Sequence, residues 1–284
     1  MKAVLVTGAS SGIGADAVRL LAQEGYLAFA GVRSEVDAAA ARAVHERIHP
    51  VRLDVTDRSA IAAAVETVTA AGVPLVGLVN NAGIAIGGPL EFLPVDELRR
   101  QFEVNVFGAL AVTQAFLPLL RAAHGRIVFV GSISGRLAIP FIGPYSASKF
   151  ALRAISDALR NELAGAGIAV ALVEPGSVKT PIWRKGREGR KRLLEILPPD
   201  AHRLYGEVLS GVFAQTEREE QVGMPVERVS AAILHALSAQ RPRANYVVGG
   251  AAKAGSVVAM LPAGVRDRAF RAARFKRGRR ARGS

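Results

Sequence analysis

Short unbroken apolar runs alternate along this chain with longer stretches in which apolar residues recur every three or four positions. An unbroken run of four to eight suits a strand buried on both faces, and the longer period suits a helix with one apolar stripe. Strands are therefore expected at residues 3–7 (Ala-Val-Leu-Val-Thr), 26–32, 51–55, 73–79, 126–130 and 168–173. Helices are expected from Gly14 to about Gly25 through Val18, Leu20 and Leu21, then over 35–47, 59–72, 95–122 and 144–164. Asp57 suits a helix N-cap, and Pro118 marks a bend in the longest helix. Six strands alternating with helices predict an α/β fold, a doubly wound parallel sheet flanked by helices and joined by right-handed crossovers. At 284 residues the chain fits one domain with a sizeable core. Residues 1–250 form the expected body, with 181–225 as a lid segment long enough to close over a substrate. Residues 251–284 form a C-terminal extension.

Half of the residues are hydrophobic, so the chain is globular and not disordered. It has no cysteine, which excludes disulfides, thiolate metal ligands and a cysteine nucleophile and suits a cytoplasmic protein. No metal site is expected. No apolar run reads as long enough to span a bilayer, and the opening Met-Lys-Ala-Val-Leu-Val-Thr-Gly fits a strand and turn better than a signal peptide. Net charge is +13, much of it in the last twenty residues, where nine basic residues from Arg266 to Arg282 stand against Asp267. Such a tail suits a solvated end, a helix on an anionic membrane with Phe270 and Phe275 as anchors, or non-specific contact with nucleic acid. The apolar run from Ala254 to Val265 tilts the reading toward peripheral contact with the inner membrane surface and away from nucleic acid; no specific nucleic-acid site is expected.

The chemistry collects at strand ends. Gly8-Ala-Ser10-Ser11-Gly12-Ile13-Gly14 stands between the first strand and first helix, the order a dinucleotide pyrophosphate needs: glycines for close approach, a helix N-terminus for its charge. The second strand ends at Val32-Arg33, where a carboxylate would select a ribose 2′-hydroxyl; a guanidinium suits a 2′-phosphate instead. Asp54 stands at the third strand's end, and Asn80-Asn81-Ala82-Gly83 ends the fourth. Ser132 follows the fifth. Tyr145 and Lys149 lie one helical turn apart, and an ammonium beside a phenol favours the phenolate. Pro175-Gly176-Ser177-Val178-Lys179-Thr180 follows the sixth. Asn105 is a polar amide among apolar neighbours that needs hydrogen-bond partners if buried.

Taken together, Thr7-Gly-x-x-x-Gly12-x-Gly14, Asn80-Asn-Ala-Gly83, Asn105, Ser132, Tyr145-x-x-x-Lys149 and Pro175-Gly176 with Thr180 resemble a classical short-chain dehydrogenase/reductase over about residues 3–250. Within that family the stretches 29–34, 181–225 and 241–249 resemble retinol and hydroxysteroid dehydrogenase-like members. The resemblance implies a Rossmann-type nucleotide-binding fold and an NAD(P)-dependent oxidoreductase. Tyr145 would be the proton donor or acceptor, Ser132 would hold the substrate oxygen, and Lys149 would lower the tyrosine pKa and bind the nicotinamide ribose. Asn105 would support a water. Asp54 and Val55 would meet the adenine, Val178 the nicotinamide amide, and Thr180 that amide or the diphosphate. NADP(H) is the preferred cofactor because of Arg33. NAD(H) stays open, because Ser11 stands where many NADP-preferring members carry a second basic residue. The resemblance also implies a homodimer or homotetramer pairing through 95–122 and 144–164. Leu137 and Phe141 before Tyr145, and Ile182 and Trp183 after Pro175, are apolar pocket candidates and suit a lipophilic alcohol or ketone such as a retinoid or steroid. The basic run 184–192 reads as a solvated face, or as a lid drawing an acidic substrate. Two other classes remain at this stage: a catalytically idle nucleotide-binding sensor, and a membrane- or nucleic-acid-associated protein acting through its tail. The presence together of Asn105, Ser132, Tyr145 and Lys149 favours the enzyme.

Overall fold

The apolar runs become strands β1 (Ala3–Thr7), β2 (Leu27–Val32), β3 (Ile48–Arg52), β4 (Leu75–Asn80), β5 (Arg126–Val130), β6 (Ala169–Pro175) and β7 (Asn245–Val248). They pair in parallel in the order β3-β2-β1-β4-β5-β6-β7. The computed structural model describes residues 1–182, 191, 193–195, 197–268 and 270–271. Helices are α1 (Gly12–Gln23), α2 (Glu35–Arg42), α3 (Arg58–Ala70), α4 (Val95–Phe102), α5 (Gly108–Ala122), α6 (Gly143–Glu162), α7 (Pro199–Val222), α8 (Glu227–Ser238) and α9 (Gly250–Val258).

Successive strand residues point to opposite faces, so β1 sends Leu5 to one side and Val4 and Val6 to the other. Leu5, Phe29, Leu78, Phe129 and Leu172 pack under α3, α5 and α6 through Ile61, Val68, Val112, Phe116 and Leu152. Val4, Val6, Val79, Val128 and Val173 pack against α1 and α8 through Val18, Leu21, Val229 and Ile233. With both faces covered, this is a single Rossmann-type domain. The strand order reverses between β1 and β4, which opens a crevice at the carboxyl edge there.

The structure differs from expectation where the tertiary environment overrides local pattern. The sheet has seven strands among the described residues, not six: β7 is a four-residue edge strand, too short for a run signal, and it exists by pairing with β6. The edge strand β3 starts at Ile48 and ends at Arg52, three residues before the expected end. Only Ile48 and Val51 of it are buried, one on each face, because only β2 pairs with it, while Leu53 and Val55 are buried outside the ladder. The helix expected over 35–47 stops at Arg42. The stretch 95–122 is broken by a wider π turn at Glu103–Phe107, whereas Pro118 lies inside an unbroken α5. This stretch also corrects the membrane reading. An 18-residue window within it averages a hydropathy of 1.4, enough by length and composition to cross a bilayer. Yet Val112, Phe116 and Leu120 are fully buried on the sheet, the place of a core helix.

Candidate active site

The crevice is built by stitching the ends of β1 and β4 together. Gly8 turns at φ +64°, and a Cβ there would lie 2.7 Å from Ala82 Cα, so only glycine fits. Thr7 Oγ1 accepts the N–H groups of Asn81 and Ala82, each at 3.0 Å. The Asn81 Nδ2 donates back to the carbonyls of Thr7 at 3.0 Å and Gly8 at 3.1 Å. Helix α1 begins at Gly12, and the Ser11 side chain makes no capping bond to it, so its first-turn N–H groups are open to an anion.

Above these ends lies a cavity of about 760 Å³. Gly8, Ser10, Ser11, Gly12 and Ile13 line it, with Arg33, Asp54, Val55, Asn81, Ala82, Gly83 and Thr180. Arg33 is exposed at its rim. Asp54 is held in place by accepting from Thr56 N at 2.9 Å and Oγ1 at 2.7 Å. Most of the remaining lining is apolar, Ile84, Ala85, Ile86, Phe141, Ile142, Pro181, Ile182, Leu193 and Val212, with the Arg100–Glu97 ion pair beside it. Phe141, though not glycine, sits at φ +67°, a conformation that costs energy. Its carbonyl accepts Gly88 N–H at 2.8 Å across the cavity wall, and its ring stacks edge-on against Tyr205 of α7. Both ends of the excursion that carries α7 meet at one place, where Val178 bridges Met224.

Strand β5 delivers Ser132, and the Tyr145 phenol on α6 is hydrogen-bonded to it. Ser132 Oγ also accepts Ser134 N–H at 3.1 Å, which fixes its rotamer. Tyr145 packs with Ala85, Ile142 and Ile182, residues of the cavity's apolar end. Lys149 Nζ stands 5.6 Å from the Tyr145 ring centroid and donates to the Val130 carbonyl at 2.8 Å. Both residues are buried. Burial pushes the Tyr145 phenol up, against the opposing hydrogen bond of Ser132. Burial pulls the Lys149 ammonium down to about 8. The expected lowering of the tyrosine by its lysine is thus reversed here: loss of water penalises both charged forms, and Lys149 directs its hydrogen bond to backbone.

Asn105 sits in the π turn. Its Oδ1 accepts Ile84 N–H at 2.9 Å, and its Nδ2 donates to Ile84 O at 3.0 Å and Ser148 Oγ at 3.1 Å. Both amide donors are committed, which leaves the second lone pair of Oδ1 for any water. Leu137 does not line the cavity, and neither do Pro175, Gly176 or Val178; Asn105, Ser132, Tyr145 and Lys149 also lie behind its lining, with Tyr145 packed against the wall residues Ala85, Ile142 and Ile182. The turn after Ser132 carries Leu137 away, with its N–H bonded to Ile133 O. Gly14 packs under the Gly8 carbonyl and the Asn81 amide. Trp183 and the basic run 184–192, apart from Lys191, lie outside the described residues, as does most of the tail.

Sequence reasoning missed two supports. Gln101 is buried, accepting Ile86 N–H and donating to Ile84 O, both at 2.8 Å, so it holds the same wall as Asn105. Glu174, fully buried in β6, joins Arg136 after the Ser132 turn to Arg153, one helical turn beyond Lys149 on α6. The carboxylate accepts from Arg153 at 2.7 Å and from two nitrogens of Arg136. Its signal was in plain view: a lone charge closing the run Ala-Val-Ala-Leu-Val.

The family described as short chain dehydrogenase matches residues 2–191. An NADPH-dependent 3-dehydrocapnine reductase of Ornithobacterium rhinotracheale is 38% identical over 256 residues, covering 87% of this chain and 88% of its own. Retinol dehydrogenase 5 of Mus musculus is 36% identical over 261 residues, covering 88% of this chain and 81% of its own. Among solved structures, a short-chain dehydrogenase from Streptomyces avermitilis superposes with a TM-score of 0.75 at 28% identity, over 100% of this chain and 98% of that one.

Proposed function

The chain belongs to the short-chain dehydrogenase/reductase family and is an NAD(P)-dependent oxidoreductase; on that premise we propose that it interconverts a lipophilic alcohol and its ketone or aldehyde with Tyr145 as proton carrier. NADP(H) is the preferred cofactor, with NAD(H) as the alternative. The cradle fits such a group: Gly8 lies where a Cβ would strike Ala82, the α1 N-terminus is open, and Arg33 stands at the rim. When bound, the cofactor supplies or accepts the hydride.

The observation that carries the reading is the Ser132–Tyr145 hydrogen bond beside Lys149, packed behind the Ala85, Ile142 and Ile182 wall of the cavity that holds the glycine turn. In reduction, Ser132 and Tyr145 hydrogen-bond the substrate oxygen and stabilise the developing alkoxide. Tyr145 then gives that oxygen its proton. Lys149 holds positive charge near the resulting phenolate and binds the nicotinamide ribose, while Asn105 keeps the 84–86 wall in register and supports a water. Asp54, Val55 and Thr180 line the cavity, where Asp54 and Val55 would hold the adenine end and Thr180 the nicotinamide end; Val178 would act from behind that lining.

The substrate class follows from the wall of Ile84, Ile86, Phe141, Ile142 and Ile182, and it agrees with the likeness to retinol dehydrogenase 5. We assign residues 1–250 to the catalytic domain, with 181–225 as the cover of the substrate end, and 251–284 to an extension. Phe107, which closes the π turn leading into α5, and Phe150 of α6, 53% and 41% exposed, mark the faces through which copies of the chain would pair. We place the enzyme in the cytoplasm.

Tyr145→Phe is expected to bind NADPH as the unmodified chain does, by fluorescence titration, and to lose turnover of lipophilic alcohols and ketones by at least about a hundredfold. Turnover within tenfold of the unmodified chain would refute the proton-carrier role.

A further inference from the structure

Helix α9 presents an apolar stripe to water. Its inner side meets the body: Ala252 is fully buried against Gly176, and Gly255 lies against Ile133, next to Ser132. Its outer face runs Lys253, Ala254 and Val257 and continues in the turn after it with Met260 and Leu261, all exposed. Val257, Met260 and Leu261 are 58%, 79% and 41% exposed, and Val265 in the following turns is 46% exposed. A surface helix ordinarily shows the reverse, with its polar side outward. Of the thirteen large apolar side chains exposed among the described residues, four fall within these nine positions. Isolated exposure needs no explanation, but a cluster marks an interaction surface.

What adjoins the cluster identifies the partner. Arg266, Arg268 and Arg271 follow directly, against the one carboxylate of Asp267, and six more basic residues follow in sequence to Arg282. Apolar side chains bordered by cations match the boundary between acyl chains and anionic headgroups. A nucleic acid would answer the arginines but leave Val257, Met260 and Leu261 in water. A second copy of a chain with net charge +13 would set like charges face to face.

We propose that the outer face of α9, with the turns after it, docks on an anionic lipid surface, Val257, Met260, Leu261 and Val265 entering the acyl boundary and Arg266, Arg268 and Arg271 engaging headgroups. Because the inner side of α9 covers Gly176 and Ile133, docking holds the body with the Ser132 end of the crevice next to the bilayer, where a lipophilic substrate is dissolved. The docking is independent of the chemistry proposed above, since its readout is binding alone.

The full chain is sedimented with phosphatidylcholine vesicles and with phosphatidylcholine–phosphatidylglycerol vesicles, alongside Met260→Asp/Leu261→Asp and Arg266→Glu/Arg268→Glu. The unmodified chain is expected to bind only the anionic vesicles and to be released by high salt. Each double variant is expected to lose at least about tenfold in partitioning while keeping its melting temperature and NADPH affinity. Equal binding to both vesicle types, or to neither, overturns the proposal. So does unchanged binding of Met260→Asp/Leu261→Asp, which would leave a purely electrostatic tail. A smaller oligomer for that variant by light scattering would reassign the face to self-association and overturns it equally.

Discussion

Lys149 is the residue at which stability and chemistry oppose each other most directly. Its ammonium is buried with one backbone acceptor, Val130 O, and burial lowers its pKa from 10.5 to about 8. That drop corresponds to about 3 kcal/mol against the folded state. The sign follows from proton counts. Between pH 8 and 10.5 the unfolded chain holds more of this proton, so stability rises with pH there. The penalty is complete below about 8 and gone above 10.5. Removing the amine also orphans the Val130 carbonyl, at a cost of about 1 kcal/mol. Lys149→Met is therefore expected to abolish turnover yet raise the melting temperature by about 4 °C at pH 7, with the gain disappearing near pH 10. Thermal melts across that range check it, and a lower melting temperature at pH 7 would mean that the charged lysine stabilises the fold. Legibility differed by residue. Tyr145, Lys149 and Ser132 could be named from the family resemblance of their motifs; the direction in which Tyr145 and Lys149 shift could not, because it depends on lost water. Leu137 was apolar and close in sequence, but its turn bonds back to Ile133 and leaves the cavity.

Between elements, β6, α6 and the turn after β5 meet at the Glu174 carboxylate, which takes Arg136 from the turn and Arg153 from the helix. Ser132 rides on that turn and Tyr145 on that helix, so the ion triad sets the distance between them. The two guanidiniums keep 23% and 27% of their side-chain surface, which places the cost of breaking the triad below that of a wholly buried one, at about 2–3 kcal/mol. Glu174→Gln is expected to lose that much in chemical denaturation and to lower kcat by about tenfold through misplaced Ser132 and Tyr145, with KM for NADPH nearly unchanged. Equal falls in stability with kcat intact would make the triad structural alone. The elements that escaped the sequence reading are those made by neighbours. Strand β7 has four residues and pairs with β6. The π turn at Glu103–Phe107 lets Asn105 reach Ile84, a demand no local propensity encodes.

At the scale of the whole molecule, the cavity belongs to no single element: β1, β2, β3 and β4 each contribute the residues just past their carboxyl ends. Cofactor binding should therefore stabilise the entire cooperative unit. At a hundred times its Kd a ligand adds about 2.7 kcal/mol, or about 5 °C for a chain of this size. NADP⁺ is expected to give a larger thermal shift than NAD⁺ at equal concentration, and Arg33→Asp is expected to reverse that order; an unchanged order would remove Arg33 as selector. The sequence by itself determined the parallel α/β architecture and the glycine turn, and its resemblance to a family named Ser132, Tyr145 and Lys149. Buried parallel strands and tight glycine turns write themselves locally, as unbroken apolar runs and as residues that alone tolerate the backbone. Only the tertiary structure decided the edge strands, the Glu174 triad, the opposed titration of Tyr145 and Lys149, and the outward apolar face of α9. Each of these depends on which surfaces lose water when distant segments pack, a property the order of residues along the chain does not carry.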